Sequence, residues 1–151
     1  MAALSALVLL LGGCGVGARG DAAEDVARFL AAAQSHDRVA FEAQVDRPTV
    51  RDDLRRRIAE AARADSLDVD GGPSEFTLDR MIAPAVIHVV DSAGEPLAEA
   101  PRPSQVATAL KKVDDGKVCL QREGGCLLTF ARSKEGWRLV SMPPSNVTVT
   151  F

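Results

Sequence analysis

The chain has 151 residues, 46% hydrophobic, 26% charged and only 4% aromatic, which suits one globular domain and excludes collagen-like, coiled-coil and polytopic membrane proteins. At this length folding buries roughly 68–70% of the unfolded chain's surface, so a core needs neither a metal nor a dense disulfide framework. Lys and Arg number 18 against 21 Asp and Glu, and the net charge of −3 removes the phosphate attraction that nucleic-acid binders carry.

Ala2 to Leu11 is a nearly unbroken apolar run. At about 1.5 Å per residue it is too short to cross a hydrocarbon layer of about 30 Å, and it reads as the core of a signal peptide over residues 1–13. Leu11-Gly12-Gly13-Cys14 follows directly and resembles the lipobox of bacterial lipoproteins, in which small residues before a cysteine admit a peptidase that leaves the thiol as the new N-terminus. The resemblance implies a lipid on Cys14, a flexible tether over residues 14–20, and a single domain over 21–151 facing the periplasm. Gly15, rather than Asp, after the cysteine implies the outer membrane where the host has two. No Lys or Arg precedes the apolar run, a departure from the positive n-region of a signal peptide, which implies a translation start upstream of Met1.

With Cys14 assigned to lipid, Cys119 and Cys126 remain as an even pair. Gly124-Gly125 between them allows a hairpin that sets them opposite each other, and an oxidising periplasm favours a disulfide. The alternative is two separate thiols acting as small core residues. Redox exchange is the weaker reading, because the spacing is not C-x-x-C.

Asp21-Ala22-Ala23-Glu24 has the form of a capping box, and Val26, Phe29, Leu30 and Ala33 then mark one face of a helix ending near Ser35. A second helix starts at Asp37 and buries Phe41 with Val45. A third opens at Asp46-Arg47-Pro48, where a proline's missing N–H costs nothing, and keeps Val50, Leu54, Ile58 and Ala61 in phase to about Ala64. Asp52 with Arg56 and Asp53 with Arg57 form i,i+4 pairs on its outside. Asp65 to Ser74 is a loop. Thr77 to Asp91 is divided between β-branched residues and a helix-opening Pro84, and is assigned to helix. Val106 to Val113 follows as a short helix ending in Lys111 and Lys112. From Gly116 the period changes to two, giving strands at 117–121, 126–132, 137–142 and 146–151 that pair with their neighbours antiparallel. Leu128, Phe130, Trp137, Leu139, Val147 and Val149 line the buried face. Helices followed by a meander predict an α+β fold, N-terminal helices on a C-terminal antiparallel curved sheet.

Phe29-Leu30-Ala31-Ala32-Ala33-Gln34-Ser35-His36-Asp37, Phe41, and Val45-Asp46-Arg47-Pro48-Thr49-Val50-Arg51 resemble a bacterial domain family of unknown function with a hydrophobic N-terminal anchor. Gly136-Trp137-Arg138-Leu139-Val140 matches that family's late strand, whereas Arg47 and Val50 depart from its Phe and Leu. The element order is also similar to nuclear-transport-factor-two-like and polyketide-cyclase-like α+β cones; that resemblance implies a pocket that binds a small molecule, catalyses an isomerisation or does neither, and fold analogy does not choose among these.

Chemistry is thinly marked. His36 and His88 lie far apart with no ligand spacing around them, which disfavours zinc, and no metal or other cofactor is expected. Ser66-Leu67-Asp68-Val69-Asp70-Gly71 matches a calcium loop only in part, since Thr77 stands where a bidentate carboxylate is required, and it reads as a solvated acidic loop. No G-x-S-x-G elbow, P-loop or dinucleotide fingerprint occurs. The absence of Tyr and the single Trp argue further against nucleic acid. His88 and Asp91 are acid/base or ligand candidates by residue type, against half-exposed structural roles. Asp46 and Arg51 are candidates too, against a helix cap and a local ion pair. The basic side of the third helix, Arg47, Arg51, Arg55, Arg56, Arg57 and Arg63, reads as a salt-bridged face because Asp52, Asp53 and Glu60 interleave with it. The expected activity is non-enzymatic binding of an envelope protein or small molecule. The alternatives are a small isomerase- or cyclase-like enzyme of the cone type and a purely structural or assembly role.

Overall fold

Residues 14–65, 67 and 71–151 are described by the structure, a computed structural model. The expected signal peptide over residues 1–13, and Ser66, Asp68, Val69 and Asp70 of the acidic loop, lie outside them.

The first helix, α1 (Cys14–Gln34), begins seven residues before the expected Asp21 cap, so Gly15–Gly20 is helical rather than a loose tether. Glycine lowers helix propensity by about 1 kcal/mol relative to Ala, but the segment has no proline to interrupt the hydrogen-bond ladder. Val26, Phe29, Leu30 and Ala33 are buried as their spacing predicts. The helix ends where His36 takes φ 56°. There His36 N–H donates to Ala33 O at 3.2 Å and Asp37 N–H to Ala32 O at 2.9 Å, the paired bonds of a Schellman stop with His in the place Gly usually takes.

Asp37 then caps α2 (Arg38–Ala43) by accepting from Ala40 N–H at 3.0 Å, and Asp46 caps α3 (Arg47–Ala64) by accepting from Thr49 N–H at 3.3 Å. Val50 and Leu54 are fully buried, Ile58 only partly, and Ala61 is exposed, so α3 leaves the core after its third turn.

The helix expected over Thr77 to Asp91 is instead three elements: α4 (Glu75–Met81), a single 3-10 turn at Pro84–Val86, and strand β1 (Ile87–Val90). Pro84 opens only that turn, and the β-branched Ile87, Val89 and Val90 prevail because a strand partner is present. The partner is β6 (Val147–Thr150), which runs parallel to β1 with Ile87 opposite Val147 and Val89 opposite Val149. This corrects the expected antiparallel pairing of the last strand with its chain neighbour. Pro143 and Pro144 precede β6, and neither has an N–H to continue the ladder.

The helix α5 (Pro103–Ala109) ends earlier than expected, and Lys111 and Lys112 belong to strand β2 (Leu110–Asp114). Strands β2, β3 (Lys117–Arg122), β4 (Gly125–Ser133) and β5 (Gly136–Ser141) form one antiparallel sheet in chain order, not closed into a barrel. The fold is α+β. Each strand pair contains a register shift, and such bulges bend and twist a sheet.

One shift positions the cysteines. Leu120 pairs with Leu128 but Gln121 with Cys126, so Leu127 is bulged. The bulge turns Cys126 onto the same sheet face as Cys119, one diagonal step away rather than directly opposite, and the two form a disulfide with Cα atoms 5.6 Å apart. Thr129, not Cys126, stands opposite Cys119.

Candidate functional site

The inward face of the sheet carries Leu128, Phe130 and Leu139, all fully buried. Phe29 of α1 packs on Phe130, with ring centroids 5.3 Å apart edge-on, and lies 5.0 Å from the ring of Phe41. Aromatic and aliphatic side chains therefore fill the inner face of the sheet.

Among the described residues no hydrogen bond or ion pair joins any two of the four ligand-site candidates, Asp46, Arg51, His88 and Asp91. Asp46 is the α3 cap. His88 is exposed on β1 between buried Ile87 and Val89, and Asp91 lies in the turn after β1, where its Oδ1 accepts from Ala93 N–H at 2.8 Å and Glu95 N–H at 3.0 Å. Those bonds give Asp91 a turn-closing role.

Arg51 leads to an arrangement that single-helix reasoning does not reach. Arg47, Arg51 and Arg55 are four residues apart along α3, and Glu75 and Asp79 four apart along α4, so each set forms one stripe. The stripes face each other. Arg51 donates to both Asp79 oxygens, each at 2.8 Å, and lies 3.1 Å from Glu75, while Arg47 reaches Asp79 at 2.9 Å. Arg47 also holds Glu42 of α2 at 2.9 Å and the Ile82 carbonyl at 3.1 Å, and Arg55 pairs with Glu75 and Asp52. The hydrogen bond from Arg51 holds the Asp79 carboxyl below its ordinary value, with partial burial opposing and Arg47 adding to the effect. The signal was present in sequence as two sets of like charge with matching four-residue spacing. It is not readable within one helix, because the ion pairs cross between two.

Two buried carboxylates complete the polar interior. Asp53, expected on the outside of α3, is 8% exposed and faces β5. It accepts from Ser141 Oγ at 2.7 Å and Arg57 Nε at 2.7 Å and also holds Arg56, while Arg57 donates to Ser141 Oγ at 2.9 Å. Asp25 of α1 accepts from Trp137 N–H at 2.8 Å and pairs with Arg28. Gly136 has φ 107°, and a Cβ there would stand 2.6 Å from Asp25 Oδ2. The Gly136-Trp137 dipeptide thus has a packing reason: the carboxylate occupies the space of a side chain. Both carboxylates are fully engaged by neighbours and serve as struts between helix and sheet.

Open concavities lie on the outside. Hollows of about 330 and 470 Å³ flank α4, both bordered by Phe76 and Arg80, and a wider groove of about 730 Å³ runs beside α1 and α2 over Ala31, Ala32, Ala40 and Ala43. Among the described residues no cluster of His, Cys, Asp and Glu is arranged to hold a metal ion, and no helix is long and apolar enough to cross a membrane.

The chain matches no family model, no curated protein and no solved structure.

Proposed function

We propose that the chain is an envelope lipoprotein whose α+β domain binds a partner protein or ligand without catalysing a reaction, held to a membrane by lipid on Cys14. The observation that carries this reading is the use of the cysteines. Two of three are consumed by the Cys119–Cys126 disulfide, a bond that persists in oxidising compartments. The third directly follows the apolar run and the Leu11-Gly12-Gly13 sequence. Each buried methylene of an anchor contributes about 0.8 kcal/mol, so several acyl chains on one residue hold a domain of this size persistently.

Binding rather than catalysis is supported by the filled inner face of the sheet and by concavities that open to solvent. An isomerase- or cyclase-like reaction needs a polar pair in a hollow, whereas His88 is exposed and Asp91 is bound into a turn. Replacing Cys14 by Ser is expected to move the protein from the membrane fraction to the soluble fraction and to remove the acyl mass from its N-terminal peptide. Unchanged fractionation, or native protein with an intact leader and reduced Cys119 and Cys126, would overturn the reading.

A further inference from the structure

The surface of α4 carries a feature that neither the ion-pair ladder nor the core uses. Arg47, Arg51 and Arg55 are neutralised across the ladder, and Arg56 and Arg57 by Asp53. Two exposed arginines beside the ladder are not. Among the described residues Arg38, on the first turn of α2, makes no ion pair, and the guanidinium of Arg80 meets only the face of Phe76, 5.9 Å from its centroid. Phe76 is 71% exposed although it lies on the helix that buries Leu78 and is followed directly by the buried Ile82. A large aromatic ring left in water beside an unpaired cation is the composition of a contact surface rather than of a solvated face.

Phe76 and Arg80 form a ridge between the two hollows. On one side the 330 Å³ hollow has an apolar wall of Met81, Val86 and Pro144 and a polar rim of Thr77, Ser145 and Asn146; on the other the 470 Å³ hollow is bordered by His36, Arg38 and Pro84. We propose that this ridge docks an extended acidic segment of a partner protein, with one apolar side chain seated in the smaller hollow and nearby carboxylates on Arg80 and Arg38. Residues two apart in an extended segment project to the same side about 6.6 Å apart, so one short stretch supplies both groups. Charge complementarity selects the occupant: among the described residues the only carboxylate bordering the larger hollow, Asp79, is already held by Arg47 and Arg51, which leaves positive charge to be met from outside. The choice of a protein over a membrane rests on the lipoprotein reading. Helix α1 covers about 30 Å from Cys14 to Gln34, and His36 and Arg38 follow its far end, opposite the anchor.

The test is selection from a displayed library of short random peptides on the full chain, with the selected peptides then measured by fluorescence polarisation. Enrichment of Asp and Glu around Leu, Ile or Phe is expected, as is a loss of affinity of about tenfold or more in Arg38→Glu, Arg80→Glu and Phe76→Ser. All three positions are exposed, so an unchanged circular dichroism spectrum separates lost contact from lost fold. No enrichment, enrichment without acidic residues, or equal binding by the three variants overturns the proposal. Vesicles of equal parts phosphatidylcholine and phosphatidylglycerol are the counter-probe, and binding to them that depends on Arg38 and Arg80 would assign the ridge to lipid and also overturn it. Acylation plays no part in these measurements, so the result stands apart from that of Cys14→Ser.

Discussion

Gly136 shows how one residue ties helix to sheet. Its left-handed φ costs a side-chain-bearing residue about 1–2 kcal/mol, and a Cβ would press on the Asp25 carboxylate that holds Trp137 N–H. Gly136→Ala is expected to lower stability by about 2–3 kcal/mol in urea unfolding, from backbone strain together with a weakened buried hydrogen bond. Retention of wild-type stability would mean that Asp25 shifts freely and is no strut. Gly136 and Trp137 were legible in the sequence as the end of a turn and the start of a strand; the reason for the glycine was not, because Asp25 lies far from it along the chain. Asp46 and Asp37 were legible as caps, since a cap bonds to an amide three residues away.

At the scale of elements, α4 is fastened by Leu78 and Ile82 beneath and by the ladder at its side. The Asp79 carboxyl is depressed in the folded state, so its contribution is present above the unfolded value of about 3.9 and is lost as pH falls through the lower folded value. Hydrogen exchange at the amides of Leu78 to Ile82 is therefore expected to quicken below about pH 4 relative to β3 and β4, and less so in Asp79→Asn. At pH 7 that substitution, discounted for solvent screening at a carboxylate 37% exposed, costs about 1 kcal/mol. Exchange in α4 indifferent to both acid and substitution would reduce the ladder to ornament. Arg47, Arg51 and Arg55 announced a basic stripe in sequence, and Glu75 and Asp79 its complement. Their meeting depended on a turn after α3 whose path local spacing does not fix. The same limit explains β1: four β-branched and apolar residues after a proline suit helix or strand equally until a partner strand is known.

For the whole molecule, that partner is the last regular element. Val147 is fully buried and Val149 is 4% exposed, and fully burying a valine side chain contributes about 1.5–3 kcal/mol. Deleting residues 147–151 is expected to remove a large share of a total stability of about 5–15 kcal/mol and to give a chain without a cooperative melting transition. A truncated protein that melts cooperatively near the wild-type temperature would place the core elsewhere. The α+β class and the buried set of Leu128, Phe130, Trp137, Leu139, Val147 and Val149 followed from alternation alone, whereas parallel pairing of residues sixty positions apart, which puts Val147 and Val149 in a second sheet, leaves no periodic trace.

The late position of β6 also sets a schedule for synthesis. A nascent chain emerging from the ribosome can form α1, α2 and α3 as they appear, since their bonds are local. It cannot complete the β1 edge until residues 147–150 have emerged as well. Until then the backbone groups along that edge of β1 have no strand to bond, and the core stays open on that side.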